Sequence, residues 1–193
     1  MTEFAFVLGN GISRKSINPN RIYRFGKTYA CNRVYEDFTP DVLVAVDKPI
    51  STEIQKSGYS LNNRFYTRTN NIISGSGALP IPKNNGFSSG PVAATIAALD
   101  NFPYIFLIGM DLKGNNGYFN NIYADKTFYK SSTDAETYYG NWINQITQII
   151  VEFYNQRFIH VNPLDNYTPQ EWRNQRNCSV MNLDEFYTMI NNT

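Results

Sequence analysis

The chain has 193 residues, a net charge of +1 and an aromatic content of 15%. This length predicts one domain, residues 1–193, with a single buried core. The near-neutral charge and the lack of a lysine or arginine run argue against a nucleic-acid-binding protein. No stretch reaches the roughly 18 consecutive apolar residues of a membrane helix, so we expect no membrane span and a cytoplasmic protein.

The cysteines and the histidine do not form a ligand pattern. Cys31 and Cys178 are far apart and lack metal-binding companions, so we expect neither a disulfide framework nor a zinc site. His160 lies in a strand-like run, where a buried and hydrogen-bonded histidine is expected rather than a catalytic one.

In the first half of the chain, three short apolar runs each end in a small or polar residue. Phe4–Leu8 precedes Gly9-Asn10-Gly11, Thr28–Cys31 precedes Asn32, and Val42–Val46 precedes Asp47. Short apolar runs bounded by turn residues predict buried strands. Polar residues at their ends would cluster at one edge of a parallel sheet, although Asn and Asp are also simply common in turns.

The middle of the chain predicts a short helix, a strand and then a long loop. Pro49–Ser57 favours a short helix and Arg64–Thr67 a strand, while Asn70–Phe87 is a long irregular segment that we expect to wall a ligand site.

The segment Asn84–Lys113 is where we expect the site to be organised. Ser89 is a cap-type residue before Gly90 and Pro91, and the small apolar residues that follow predict a helix packed closely on a sheet. The free N–H groups at such a helix start suit an anion. The next buried strand, Tyr104–Ile108, leads to Asp111 at the same edge of the sheet.

The last third predicts two further helices and one strand. Thr133 and Glu136 have capping-box spacing, which predicts a helix from there to about Tyr154 with its apolar face inward. Phe158–Val161 predicts a strand, Thr168 with Glu171 a short capped turn, and Leu183–Ile190 a terminal helix. The expected fold is therefore α/β: a single Rossmann-like domain with a mostly parallel sheet flanked by helices.

Several of these motifs, in the same order along most of the chain, resemble those of the compact bacterial lipooligosaccharide sialyltransferases. The broader group of small Rossmann-like proteins related to them includes a pterin diphosphokinase-like branch. The matching segments are Gly9-Asn10-Gly11, Cys31-Asn32 with the aromatic and acidic residues after it, Ser89-Gly90, Ile105–Leu112 and Thr133–Val161.

The resemblance implies a site for the nucleotide of a cytidine monophosphate sugar. The positions implied by the resemblance are Asn10, Gly11, Asn32, Ser89 and Gly90. To these we add the adjacent Gly9 and Ser88, and Asp47 from the pattern of polar residues after strands. The family also places two tyrosines near the departing phosphate, and here Tyr118 matches the second while Lys113 stands at the first.

The main departure from the family concerns the catalytic base. Tyr129 occupies the place of the family's catalytic histidine, and a tyrosine with a pKa of about 10 is a poor base at neutral pH. The base would be Asp47, Asp111 or Asp125, or else Tyr129.

We therefore predict a nucleotide-sugar-dependent glycosyltransferase-like protein, with Asp111, Lys113, Tyr118 and Tyr129 as candidate catalytic residues. We expect no metal and no cofactor beyond the nucleotide-sugar donor. One alternative is a protein that binds a nucleotide or nucleotide sugar without turnover. Another is a metal-dependent diphosphotransferase that uses Asp47 and Asp111 as ligands. Whether the protein is an enzyme, and whether it forms a homo-oligomer, stays open.

Overall fold

The computed structural model describes residues 3–164 and 167–192, and these form one eight-stranded sheet. All neighbouring strands pair in parallel. The strands are β1 (Phe4–Leu8), β2 (Gly26–Cys31), β3 (Val42–Val44), β4 (Phe65–Thr67), β5 (Leu79–Pro80), β6 (Tyr104–Ile108), β7 (Arg157–Val161) and β8 (Cys178–Met181).

Helices connect the strands and cover both faces, which gives the expected Rossmann-like α/β arrangement. They are α1 (Pro19–Ile22), α2 (Lys48–Lys56), α3 (Tyr59–Asn62), α4 (Ser89–Leu99), α5 (Gly140–Glu152), α6 (Gln170–Arg173) and α7 (Leu183–Asn191). Short 3-10 helices cover Ile12–Ser16, Asn32–Glu36 and Thr69–Asn71. No helix in the described part of the chain is both long and apolar enough to cross a membrane.

The strand order is β5-β4-β3-β2-β1-β6-β7-β8, so the direction of winding reverses between β1 and β6. In doubly wound sheets the connections leave opposite faces at this point and open a crevice beyond the carboxyl ends of the strands. The topology therefore places the ends of β1 and β6 beside a crevice.

The two faces of β1 show why the helices can approach the sheet closely. Phe4, Phe6 and Leu8 belong to the core on one face, and the smaller Ala5 and Val7 to the core on the other. The alternation follows from the two-residue period of a strand. The face with the smaller residues carries α4, whose own side of the interface is rich in alanine. Small side chains on both elements let the start of α4 come close to the strand ends.

The structure confirms the predicted strands and the helices at α2, α4 and α7, with shifted ends. The third strand ends at Val44 rather than Val46. The terminal helix has a capping box between Asn182 and Glu185. Two edge strands, β5 and β8, were not predicted.

The helix predicted from Thr133 is wrong in its start, because α5 begins at Gly140. The Glu136 carboxylate accepts a hydrogen bond from the backbone N–H of Gly114 at 2.6 Å instead of capping a helix. Ala135 forms an isolated antiparallel bridge with Tyr118. Glu136 therefore binds Gly114, a residue distant in sequence, and does not form the capping box that the local sequence predicts.

Thr168 does not cap a helix through its side chain either. Pro169 is the N-cap of α6, and the Thr168 hydroxyl lies 2.9 Å from Nδ1 of His160.

Candidate functional site

A cleft of about 380 Å³ opens at the carboxyl ends of β1 and β6. Its walls are the loops after β1, β2, β3 and β6, the start of α4, the first half of α5 and residues 112–139, which we call the cover segment. The structure brings together almost all of the predicted site residues in this cleft: Gly9, Asn10, Gly11, Asn32, Asp47, Ser88, Ser89, Gly90, Asp111, Lys113 and Tyr129. Tyr118 does not line it and is 53% exposed.

The serine hydroxyls at the start of α4 anchor the helix. Ser88 Oγ accepts a hydrogen bond from the indole N–H of Trp142 at 2.8 Å, and Ser89 Oγ accepts one from the backbone N–H of Val46 at 3.0 Å. The prediction that Ser89 caps the helix through its side chain is therefore wrong. The backbone N–H groups of Ser89 and Gly90 precede the first intrahelical bond and have no helical acceptor. They are the groups that this helix end presents to an anion.

Two glycines of the Gly-Asn-Gly turn are explained by packing within the protein. A Cβ on Gly9 would lie 2.5 Å from the carbonyl oxygen of Gly109, and one on Gly11 would lie 2.4 Å from Cγ of Asp111. A Cβ on Gly90 would meet nothing closer than the Met110 methyl group at 3.4 Å. The end of β1 thus needs glycine to approach the end of β6, whereas the glycine in α4 is not required by packing.

The Asp111 carboxylate is occupied by hydrogen bonds inside the protein. It is 7% exposed and accepts bonds from the backbone N–H of Ser13 at 3.0 Å, from the Ser13 hydroxyl, and from Nδ2 of Asn120 at 3.1 Å. These contacts tie the 3-10 helix after β1 and the cover segment to the end of β6. Its geometry suits a positioning residue better than a base.

Two amide oxygens in the cleft, Oδ1 of Asn10 and Oδ1 of Asn32, are buried without a hydrogen-bond partner among the described residues. The buried hydroxyls of Tyr129 and Tyr139 have only weak contacts from backbone N–H groups. A buried polar group without a partner costs about 1–3 kcal/mol, so native proteins keep few of them. Their concentration in one cleft favours a ligand that donates hydrogen bonds.

Two lysines and two aspartates are the charged side chains of the cleft. Lys113 and Lys130 line it, and neither forms an ion pair with any residue of the described ranges 3–164 and 167–192. The negative charge of Asp111 remains, stabilised by three hydrogen bonds from neutral groups. Asp47 is the other acid of the cleft, at the N-cap of α2.

Backbone strain is also concentrated here. Asn32, Leu112 and Phe128 have φ angles of 53°, 51° and 69° and line the cleft. Asparagine tolerates the left-handed region, but for leucine and phenylalanine it is unfavourable. Such strain persists where the surrounding structure enforces it and is concentrated at functional sites.

Three of the four candidate bases are unsuited to the role. Burial raises the pKa of the Tyr129 hydroxyl far above its ordinary value, so it stays protonated at neutral pH. Asp125 does not line the cleft, and hydrogen bonds from Ser132 and Ser131 lower the pKa of its carboxyl. With Asp111 occupied, Asp47 is the candidate whose carboxylate lines the cleft without a hydrogen bond in the described part of the chain.

His160 is buried outside the cleft lining, as predicted. It is 2% exposed, it pairs with Thr168, and its ring meets the Trp172 ring edge-on with centroids 5.3 Å apart. Burial lowers the pKa of its imidazole to about 4. Cys31 lies at the base of the cleft, where burial raises the pKa of its thiol to about 12 and keeps it an inert thiol.

Sequence reasoning missed several residues of the cleft, above all Phe128, Asn120, Lys130 and Trp142. Trp142 recurs with the apolar residues of α5, and only the fold shows that its indole N–H donates a hydrogen bond to Ser88. The others belong to the non-periodic cover segment, which carries no local signal. Among the described residues there is no group of three or more His, Cys, Asp or Glu side chains that could hold a metal ion.

Comparison of the chain with protein-family models, with curated proteins and with solved structures gives no match.

Proposed function

We propose that this protein binds a nucleotide sugar in the cleft and transfers the sugar to a hydroxyl acceptor, as the sialyltransferase-like motifs suggest. One observation carries the proposal. Anion-binding groups and buried amide oxygens without partners meet at the switch point of a doubly wound sheet, where such folds bind nucleotides.

The start of α4 and Lys113 are assigned to the phosphate. The N–H groups of Ser89 and Gly90 and the positive end of the helix dipole favour an anion, and an ammonium group adds charge-assisted hydrogen bonds. A cleft of about 380 Å³ lies within the usual range for small-molecule sites.

Asn10 and Asn32 are assigned to the nucleoside. Their buried Oδ1 atoms can accept hydrogen bonds from ribose hydroxyls or from a base amino group. Each new bond would remove the free-energy cost of a buried acceptor without a partner. Binding would then stabilise the protein as well as the complex.

The transfer step needs a base and stabilisation of the leaving group. The acceptor hydroxyl attacks the anomeric carbon and the Asp47 carboxylate takes its proton, while the bond from that carbon to the phosphate oxygen breaks. The nucleotide leaves with the bonding pair. Its charge is stabilised by the N–H groups of α4 and by Lys113 and Lys130.

Asp47→Asn is the sharpest test, because asparagine is an equally good N-cap residue and should preserve α2. We expect cytidine monophosphate to bind this variant at least as tightly as the wild type, measured by calorimetry without magnesium, because the substitution removes a negative charge from the cleft. Acceptor-dependent nucleotide release should fall by about 10²-fold or more. Equal release rates in variant and wild type would remove Asp47 from the mechanism, and absence of nucleotide binding by the wild type would overturn the proposal.

A second candidate function is binding without turnover. Tyr129 at the place of the family's histidine favours it, since this hydroxyl cannot act as a base at neutral pH. Tight nucleotide binding with no release of nucleotide to any of a panel of sugar acceptors would select this function. The diphosphotransferase alternative stays a prediction, and magnesium-dependent binding would select it.

A further inference from the structure

We propose that Phe128 is a platform on which the base of the nucleotide stacks, and that the turn around it is built to hold the ring at the cleft. This inference rests on the proposed function and adds a residue for recognition of the base. Two costs to stability meet at this residue.

The first cost is conformational. Phe128 has a φ of 69°, in a region where a bulky side chain is a genuine outlier. The second is exposure, because the residue remains 57% exposed and lines the cleft. An aromatic side chain that is half exposed and attached to a strained backbone contributes little to stability. The same arrangement is expected of a ring that stacks on a flat ligand.

The backbone on both sides of Phe128 is held by hydrogen bonds. The N–H of Asp125 donates to the carbonyl of Lys130 at 3.1 Å, and the N–H of Tyr129 donates to the carbonyl of Lys126 at 3.0 Å. These bonds close the turn from both ends. The left-handed conformation is therefore imposed by the surrounding structure.

Arg33 fastens the same turn to the end of β2. Its guanidinium donates to the carbonyl of Thr127 at 3.1 Å and pairs with the carboxylates of Glu36 and Glu53. Because its side chain is only 7% exposed, these contacts are shielded from solvent. Arg33 thus positions the residue next to Phe128.

The attachment to β2 indicates which part of the ligand Phe128 meets. Asn32, directly before Arg33, offers a buried Oδ1 atom without a partner in the same cleft. A nucleobase has a flat face for stacking and an edge with hydrogen-bond donors, so the ring and the amide match its two surfaces. A phosphate or a ribose alone would use the amide and leave the ring unused.

The test compares a nucleotide with its base-free fragment. We would measure the dissociation constants of cytidine monophosphate and ribose 5-phosphate for the wild type, Phe128→Asn and Phe128→Tyr. Asparagine tolerates a positive φ, so this variant removes the ring while relieving the strain. Tyr154→Asn is the matched control, because it removes an aromatic ring that is 72% exposed and lies outside the cleft lining.

We expect Phe128→Asn to bind cytidine monophosphate roughly 5- to 150-fold more weakly, the range of a lost base–aromatic stack. Its affinity for ribose 5-phosphate should stay within about twofold, and its melting temperature without ligand should equal or exceed that of the wild type. Phe128→Tyr and Tyr154→Asn should bind both probes like the wild type.

Three results would overturn the inference while leaving nucleotide binding intact. One is an unchanged affinity of Phe128→Asn for cytidine monophosphate. Another is an equal loss for both probes, which would assign the ring to the ribose or to the site in general. The third is a lower melting temperature, which would make the ring structural. Failure of the wild type to bind any nucleotide would overturn the inference and the proposed function together.

Discussion

Lowering the pH from 7 to 5 should destabilise the protein through His160. This imidazole is 2% exposed, and burial lowers its pKa to about 4 against 6.5 in the unfolded chain, although the charge of Asp111 acts in the opposite direction. The unfolded state therefore binds a proton more readily than the folded state. The contribution of His160 to the free energy of unfolding is fully present above pH 6.5 and is lost as the pH falls towards 4.

The size of the effect follows from the two pKa values. Between pH 7 and pH 5 the unfolded histidine becomes almost fully protonated and the folded one does not, which corresponds to about 2 kcal/mol. For a chain of this length, that loss lowers the melting temperature by about 4–8 °C.

Carboxyl groups should contribute little in this pH range. Although burial opposes their ionisation, cationic partners lower the pKa values of Glu36 and Asp100 below 4.5 and 3.8. Their contribution to stability is present above those values and is lost only as the pH falls through the lower folded ones. The range from pH 5 to pH 7 thus isolates the histidine.

The assay is urea unfolding of the untagged protein at pH 7, 6 and 5, with His160→Gln as the control. The sequence has a single histidine, so one imidazole NMR signal reports its titration in the folded state. The variant should lack the pH dependence of the wild type. A folded-state titration above pH 6, or the same pH dependence in His160→Gln, would refute the assigned burial effect.

Three further predictions concern the cleft and its cover segment. Gly9→Ala should lower the free energy of unfolding by about 1–3 kcal/mol, because its Cβ would lie 2.5 Å from a backbone carbonyl oxygen. Gly90→Ala should leave the melting temperature unchanged or raise it, because its Cβ would meet nothing closer than 3.4 Å. Equal melting temperatures of the two variants would contradict this. Tyr129→Phe should melt near or above the wild-type temperature, because the buried hydroxyl has only a weak backbone contact from Arg33, and a clear drop would reveal a strong hydrogen bond. Glu36→Gln should speed tryptic cleavage at Lys126, because it removes the carboxylate that pairs with this lysine, and an unchanged cleavage rate would show that the cover segment is held elsewhere.

Much of the site could be predicted from sequence because of how a parallel sheet is built. Strands such as β1 and β6 are buried on both faces, so they read as continuous apolar runs between turn residues. All strands of a parallel sheet end at the same edge, so residues such as Asn10, Asn32 and Asp47 could be expected to meet. The helix start at Ser89 was readable because proline and small residues mark it locally.

Other features depend on contacts between segments distant in sequence. The two-residue strand β5 is too short to carry an alternation pattern, and β8 is only partly buried and lacks a strong apolar signal. Glu136 looks like a capping residue until the fold places Gly114 beside it. The local sequence favoured a helix there, and the tertiary hydrogen bond prevailed.

The sequence indicates which residues lie at the site, whereas the tertiary structure decides which of them are free to bind or react. The sequence by itself determined that acidic and amide groups follow the buried strands, because strand ends are local features. Only the tertiary structure decided that Asp111 is occupied by Ser13 and Asn120 while Asp47 is not. It also decided that the turn holding Phe128 reaches the cleft. A side chain's availability depends on which distant groups already bind it, and those partners are set by the packing of the whole chain.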